Sequence, residues 1–329
     1  MTKIFRIGLL GASRIAPTAV IGPSRVREGF KITAVAARDR ARAEAYAQEH
    51  GIPGVANDYA ALIARDDVDV VYNALPPVAH APWSIAAAEA GKAVLCEKPF
   101  ARNGGQARAM VEAARAYGCV LIEAFHYRFH AVIRHAETLV RSGVLGALKS
   151  AAAEFVAPIE RTPDELRWRA DQAGGALMDL GCYPLHALRT LIGCEPEILA
   201  AEGVFDGGVD SAMKANLSFA AGVAASIACS MTPDAPAAWL WLEGERGRLD
   251  IINFLAPQIG CRFTTTIGGV TQTQPTSGPS TYAAQLIHLH DVLTGAAEPL
   301  TGGADAVANM TAIDAIYLAS GRPAPPPTA

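Results

Sequence analysis

Short apolar strands alternating with helices over the first 125 residues constrain the fold of this chain more than any other feature. Runs at 5–10, 31–37, 68–74, 93–96 and 120–124 are apolar almost throughout, without a polar residue at every second position. A strand wetted on one face alternates. One that does not alternate is buried on both faces, as in a parallel sheet. Segments of helical composition lie between the runs at 15–27, 40–50, 80–90 and 105–117, and three of them stop at Gly51, Gly91 and Gly118. Glycine is the residue that most readily takes the left-handed turn closing a helix. Pro17 fits only the first turn of the first helix. The alternation predicts an α/β domain with a doubly wound parallel sheet, ending near residue 125.

Beyond that point the pattern changes. A helix at 131–141 is followed by strand-like runs at 148–156, 198–205, 212–219, 223–230, 238–242, 248–252 and 262–267. Few helices separate them, which predicts a large, mostly antiparallel open sheet with one face against helices. A helix after Gly174-Gly175 interrupts the series, and helices at 282–293 and 305–320 close it. The expected division is 1–125 for a dinucleotide-binding domain and 126–320 for an α/β substrate-binding domain, with the last helix free to pack on the first. The Pro-rich stretch 321–329 reads as a tail. A chain of 329 residues, 51% of them hydrophobic, supports two cores.

Charge and composition exclude several classes. A net charge of −4 gives no basic face for nucleic acid or an anionic membrane. The N-terminus runs into a strand without the apolar region of a signal peptide, and no apolar run reaches the roughly 20 residues of a membrane helix. The six cysteines form no CxxC pair and no Cys/His cluster, so isolated thiols, no metal site and a cytoplasmic setting are expected.

Five segments carry chemistry. Gly11-Ala12-Ser13-Arg14-Ile15-Ala16 stands where a G-x-G-x-x-G/A turn joins a strand to a helix. Gly11 permits the tight turn, Ser13 replaces the second glycine, and the helix start offers N–H groups and a positive dipole end to a pyrophosphate. The alternative is an ordinary strand–helix turn. At the end of the second strand, where an NAD enzyme usually has an acidic residue on the ribose, this chain has Arg38, with Arg42 one turn on. Arg38 suits a 2′-phosphate, so NADP is favoured and NAD remains possible. Asp39 also reads as a helix cap. Leu75-Pro76-Pro77-Val78-Ala79-His80 follows another strand at the edge where ligands of open α/β sheets sit. Leu75, Pro76 and His80 are therefore cofactor-wall candidates, although His80 could equally serve only the helix start.

Glu97-Lys98-Pro99-Phe100 follows the strand at 93–96. A lysine emerging there is partly desolvated, which lowers its pKa and lets it exchange protons near neutrality. A salt-bridged lysine is the alternative, and Pro99 can be preceded by a cis bond. In Gly174-Gly175-Ala176-Leu177-Met178-Asp179-Leu180-Gly181-Cys182-Tyr183, Asp179 and Tyr183 are spaced i, i+4, and His186 follows at i+7. One helix face can carry all three toward a polyol. The alternative is a packed face, and Pro184 makes the helix less regular.

Together with Glu123-Ala124-Phe125-His126-Tyr127-Arg128-Phe129-His130, these segments resemble the glucose–fructose oxidoreductase / inositol dehydrogenase (Gfo/Idh/MocA) family from about residue 4 to about residue 320. Tyrosine at position 183 resembles the dimeric dihydrodiol dehydrogenase and NADP-dependent xylose dehydrogenase branch. The resemblance implies a Rossmann domain plus an α/β domain whose open sheet forms a homodimer or higher oligomer. It implies Lys98 as catalytic with Tyr183 its partner, Asp179 at the substrate, and Arg38 facing the adenosine phosphate. Glu97 lies in the cofactor-side motif. Two positions depart from the pattern: many relatives carry aspartate at 186, and position 126 is often methionine or another apolar residue. The implied activity is hydride transfer between a nicotinamide and a sugar, polyol or vicinal diol. A dinucleotide- or ligand-sensing protein without turnover is the competing class; Lys98, Asp179 and Tyr183 argue against it. A methyltransferase is a third, opposed by Arg38.

Overall fold

The computed structural model describes residues 2–322, so the Pro-rich tail lies almost wholly outside the described residues. The chain divides into two compact units. One holds the chain up to Phe125 together with Tyr282–Val307, and the other holds His126–Thr281 and the chain from Ala308. The sequence pattern assigned all of 126–320 to one domain; Tyr282–Val307 instead belongs with the first unit.

The first unit is built on six parallel strands. They are β1 (Phe5–Leu10), β2 (Phe30–Ala36), β3 (Gly54–Val55), β4 (Val70–Asn73), β5 (Ala93–Cys96) and β6 (Leu121–Glu123), in the order β3-β2-β1-β4-β5-β6. The order reverses at β1, which pairs with β2 on one side and β4 on the other. In such sheets the ligand crevice lies outside the carboxyl ends of the strands at the reversal. The expected sheet had five strands. β3 has two residues, too few to show a period, and the short helix Tyr59–Ile63 after it was missed for the same reason. Asp58 starts that helix by accepting the Ala61 N–H at 2.7 Å.

The expected helix at 15–27 is less regular than its composition. It opens as a π turn, Pro17–Ile21, in which the Gly22 N–H reaches back to the Pro17 carbonyl, and continues as an α-helix over Gly22–Val26. The helices Arg40–His50, His80–Glu89 and Gly104–Ala116 match their expected spans to within a residue.

The second unit carries eight strands: β7 (Leu148–Val156), β8 (Glu197–Asp206), β9 (Val209–Phe219), β10 (Val223–Ser230), β11 (Ala237–Gly244), β12 (Gly247–Ile252), β13 (Arg262–Ile267) and β14 (Val270–Thr273). Their order is β14-β13-β12-β11-β7-β10-β9-β8. Only β7 and β10 pair in parallel; the other neighbours are antiparallel. β14 reads Val-Thr-Gln-Thr and is exposed throughout, so no apolar pattern announced it.

The sheet is two-sided. Along β9, Met213, Ala215 and Leu217 are buried while Lys214 and Asn216 are exposed. The buried face takes the helix Cys182–Ile192, which lies on β7 and β10 and is itself packed by the helix Ala131–Arg141. The other face carries Trp239 and Trp241 in register with Ile252 and Asp250, next to the small residues Ala152 and Ser226. Ile252 there is 43% exposed, and Val204 on β8 is 63% exposed.

Candidate active site

In the first unit the motif residues gather at one edge. Gly11, Arg38, Leu75 and Lys98 each follow the carboxyl end of a parallel strand, β1, β2, β4 and β5 in turn. Gly11 has a φ of +93°, and a Cβ there would press on the Leu75 side chain at 3.1 Å. This combination needs glycine and leaves the backbone of the turn open. The Ser13 hydroxyl accepts the Ala16 N–H at 3.3 Å, so the second-glycine position has become a cap. Ala12 and Ala37 pack with Ala43, which keeps the second strand's end close to the turn. Arg14 and Arg38 are exposed. Asp39 accepts the Arg42 N–H at 3.1 Å, and the Arg42 guanidinium donates to the Ala12 carbonyl at 3.0 Å. The guanidinium groups of Arg38 and Arg42 thus stand at the end of β2 beside a turn whose helix-start N–H groups at Ala16, Thr18 and Ala19 are taken by Ser13 Oγ and the Ile15 carbonyl. These residues fit a dinucleotide carrying a 2′-phosphate.

The lysine turn is held from beneath. Tyr72 on β4, fully buried, donates to Glu97 Oε1 at 2.6 Å, and Glu97 Oε2 accepts the Lys98 N–H at 3.3 Å. Burial, with the Glu97 charge second, holds the Tyr72 phenol well above its usual pKa, so it stays a donor. The Lys98–Pro99 peptide is cis.

His80 is a correction. It was a cofactor-wall candidate, but its side chain is 1% exposed. Its Nδ1 lies 2.9 Å from the Pro99 carbonyl and its Nε2 2.7 Å from the Leu75 carbonyl. Burial drives its pKa down to about 4 against the pull of these carbonyls. The neutral ring donates from one nitrogen at a time. His80 therefore links the loop after β4 to the lysine turn instead of facing a ligand. Asn73 helps: its amide donates to the His80 carbonyl at 3.2 Å and to Ser84 at 3.0 Å. A cavity of about 520 Å³ in this unit, lined by Arg6, Asp69, Ala93 and Cys119, opens at the strands' opposite edge and touches none of the motif residues.

In the second unit the Gly174-Gly175 segment opens a π turn, Leu177–Gly181, and only then the α-helix Cys182–Ile192. Asp179 and Tyr183 therefore straddle a change of helix type, which the i, i+4 spacing did not reveal. Buried Asp210 pins the start, accepting the Leu177 N–H at 2.7 Å and the Tyr317 hydroxyl at 2.7 Å. Burial raises the Asp210 pKa. Gly175 stands at φ +130°, and a Cβ there would run into the Asp210 carboxylate.

Asp179 pairs with Arg167, whose Nε lies 2.7 Å from its carboxylate, and its side chain keeps 16% exposure. The Asp179 charge raises the Arg167 pKa. Tyr183 is 5% exposed, its ring set edge-on against Tyr127, Phe155 and His126. Its hydroxyl lies 3.3 Å from His126 Nε2. His186 is the second correction. It was expected at the substrate, yet it is 0% exposed, with Nδ1 2.5 Å from the Tyr127 hydroxyl. It fixes Tyr127 against Tyr183. Asp210, Thr281 and Tyr317 escaped the sequence reading because each lies far along the chain from the motif it serves, and Arg167, twelve residues before Asp179, because no regular helix or strand period joins the two. Among the described residues no group of three metal-ligating side chains gathers, and no helix is long and apolar enough to cross a membrane.

Comparison with known proteins agrees with this geometry. Residues 5–125 match the oxidoreductase family with an NAD-binding Rossmann fold, and residues 133–250 match the GFO/IDH/MocA C-terminal domain. The chain is 33% identical over 315 residues to D-xylose 1-dehydrogenase (NADP(+)) 2 of Haloferax volcanii, covering 94% of this chain and 95% of that protein. It is 35% identical over 256 residues to trans-1,2-dihydrobenzene-1,2-diol dehydrogenase of Mus musculus, covering 77% and 76%. Among solved structures, aldose-aldose oxidoreductase from Caulobacter crescentus, complexed with glycerol, superposes with a TM-score of 0.89 at 28% identity, covering 97% and 98%. With both domains matched and a relative spanning nearly its whole length, the chain belongs to the Gfo/Idh/MocA family of oxidoreductases.

Proposed function

We propose that this protein is an NADP-preferring dehydrogenase or reductase of a sugar, polyol or vicinal diol. The observation that carries the reading is the set of proton-transfer groups: Lys98 on a turn braced by Glu97 and His80, and Tyr183 on a helix whose start is pinned by Asp210. The similarity to xylose and dihydrodiol dehydrogenases supports the substrate class.

The turn Gly11-Ala12-Ser13-Arg14-Ile15 would hold the pyrophosphate, with Leu75 and Pro76 walling the nicotinamide. Arg38 and Arg42 would hold the 2′-phosphate. Bound NADP supplies a hydride acceptor or donor at the substrate carbon. Lys98 and Tyr183 serve the substrate oxygen, holding its proton as the bond order at carbon changes. Asp179, oriented by Arg167, holds neighbouring hydroxyls, and a carboxylate can accept from two. The six free cysteines suit a reducing compartment, and we place the protein in the cytoplasm. The wetted sheet face bearing Trp239 and Trp241 is the surface we assign to a homodimer or higher oligomer.

Absorbance at 340 nm with NADP and a panel of aldoses, polyols and diols tests the reading. Lys98→Met and Tyr183→Phe should each lower kcat by about 10² or more, the scale of a lost acid–base group, with NADP binding nearly intact. Tyr183→Phe with near-normal turnover would refute the assignment. Cofactor binding without turnover on any of the panel would favour the ligand-sensing alternative, against which Lys98, Asp179 and Tyr183 stand.

A further inference from the structure

We propose that His126 is a positioning residue that takes and returns the proton of Tyr183, with Thr281 at its other ring nitrogen. This deepens the functional reading above and rests on it.

His126 opens the second unit at the start of the 3-10 turn His126–Phe129. Its ring is used at both ends. Nδ1 lies 2.9 Å from Thr281 Oγ1, and Nε2 lies 3.3 Å from the Tyr183 hydroxyl. The second distance is long for a hydrogen bond, as is common for catalytic pairs before substrate binds. All three side chains are buried, at 9%, 0% and 5% exposure for His126, Thr281 and Tyr183. Sequence separations of 155 and 57 residues show that the fold, not local chain geometry, assembles the row.

Thr281 suits the tautomer that the transfer needs, because its hydroxyl can accept from Nδ1–H. When its oxygen accepts Nδ1–H, the lone pair of the neutral ring sits on Nε2 and faces Tyr183. During alcohol oxidation the substrate O–H bond breaks and its proton joins the Tyr183 oxygen. In the same movement the Tyr183 O–H bond breaks, its electron pair stays on oxygen, and the proton binds the Nε2 lone pair. Imidazole becomes imidazolium, Tyr183 ends as a phenol, and the Nδ1–H···Oγ1 bond persists. Carbonyl reduction runs the same transfers backwards. The consequence is a change of effective base. A lone tyrosine accepts a proton only as a phenolate, near pH 10, whereas imidazole accepts one near pH 6.5. His126 therefore gives the Tyr183 proton an acceptor, so that Tyr183 need not start as a phenolate.

Tyr127 and His186 are titratable groups that pack near this row; they lie 2.5 Å apart, and the Tyr127 ring meets the Tyr183 ring edge-on. They orient the ring edge.

The test is the pH profile of alcohol oxidation in His126→Gln and Thr281→Val, with the best substrate from the panel. Gln can accept the Tyr183 hydrogen bond but cannot titrate. His126→Gln should lower kcat at pH 7 about tenfold or more, change KM little, and move the acid limb of the kcat profile upward. Thr281→Val should act in the same direction more weakly. A wild-type kcat and acid limb in His126→Gln would overturn the proposal. Tyr183→Phe run alongside separates the two readings: if it keeps turnover the site assignment fails, and if it collapses while His126→Gln is normal only this inference fails. A substrate-free measurement covers variants that do not fold. The His126 ring proton signal, assigned through its proximity to the Tyr183 ring, should titrate at a different pH in Tyr183→Phe than in wild type. Identical titration would also overturn the proposal.

Discussion

Replacing His80 with glutamine should flatten the acid sensitivity of folding. In the folded state the imidazole is buried and its pKa falls from 6.5 to about 4. The folded chain thus binds this proton less readily than the unfolded one, and acid favours unfolding. The contribution of the neutral ring is fully present above about pH 6.5 and is lost as pH falls toward 4. At about 1.4 kcal/mol per pH unit, the whole gap has a ceiling of roughly 3 kcal/mol. Integrated from pH 7 to pH 5, it amounts to about 2 kcal/mol. Glutamine cannot take up this proton. It can still donate to one of the two carbonyls His80 spans, so the variant should lose only about 1 kcal/mol at pH 7. Urea unfolding of both proteins at pH 7 and pH 5 gives the test. Groups common to both proteins cancel in the difference, and wild type should lose about 2 kcal/mol more than His80→Gln. Parallel losses would refute the reasoning, because they would mean that the folded and unfolded chains bind this proton equally, and a smaller loss in wild type would mean that the folded ring is protonated and bonds both carbonyls at once.

Other expectations concern the cofactor and the sheet. Arg38→Ala should raise KM for NADP far more than for NAD, since one charge-assisted contact is worth roughly 1.5–3 kcal/mol, or about ten- to a hundredfold. Arg42→Ala should do so less, because its guanidinium also serves the Ala12 carbonyl; equal losses with both cofactors in initial-rate kinetics would count against both roles. Trp241→Glu should shift the protein toward a lower mass in sedimentation, as a charge is placed in the middle of the proposed sheet interface. An unchanged mass would move that interface elsewhere.

Much of the scaffold was legible because its signals are local. An apolar strand such as Ala93–Cys96 and the cap Asp39 are written within a few residues, and Lys98 follows such a strand directly. The two histidines went astray for a different reason. His80 and His186 have the composition of ligand contacts, and only packing shows that both ring nitrogens of His80 are spent on Leu75 and Pro99 and that His186 Nδ1 is spent on Tyr127. No spacing rule could pair Thr281 with His126, or Asp210 with the start of the Tyr183 helix, since nothing between those positions sets a period. Position 126 did stand out as a departure from the family pattern, and the structure gives that departure a hydrogen-bonded neighbour at Tyr183.

The π turn Leu177–Gly181 fixes a rotational phase. In an α-helix each residue advances the next by about 100° around the axis. A widened turn takes one extra residue without advancing the helix that follows by a full step. Every side chain from Cys182 to Ile192 is therefore aimed differently from what a continuous α-helix starting at Gly175 would give. Deleting Leu180 or Gly181, between Asp179 and Tyr183, would let the turn close to α geometry while the packed helix stayed in place. The Asp210 anchor and the helix would then keep their positions, and Asp179 would be swung about a quarter of a turn relative to Tyr183. Length at this point of the chain is thus itself a determinant of which hydroxyls of a substrate can be held while another one reacts.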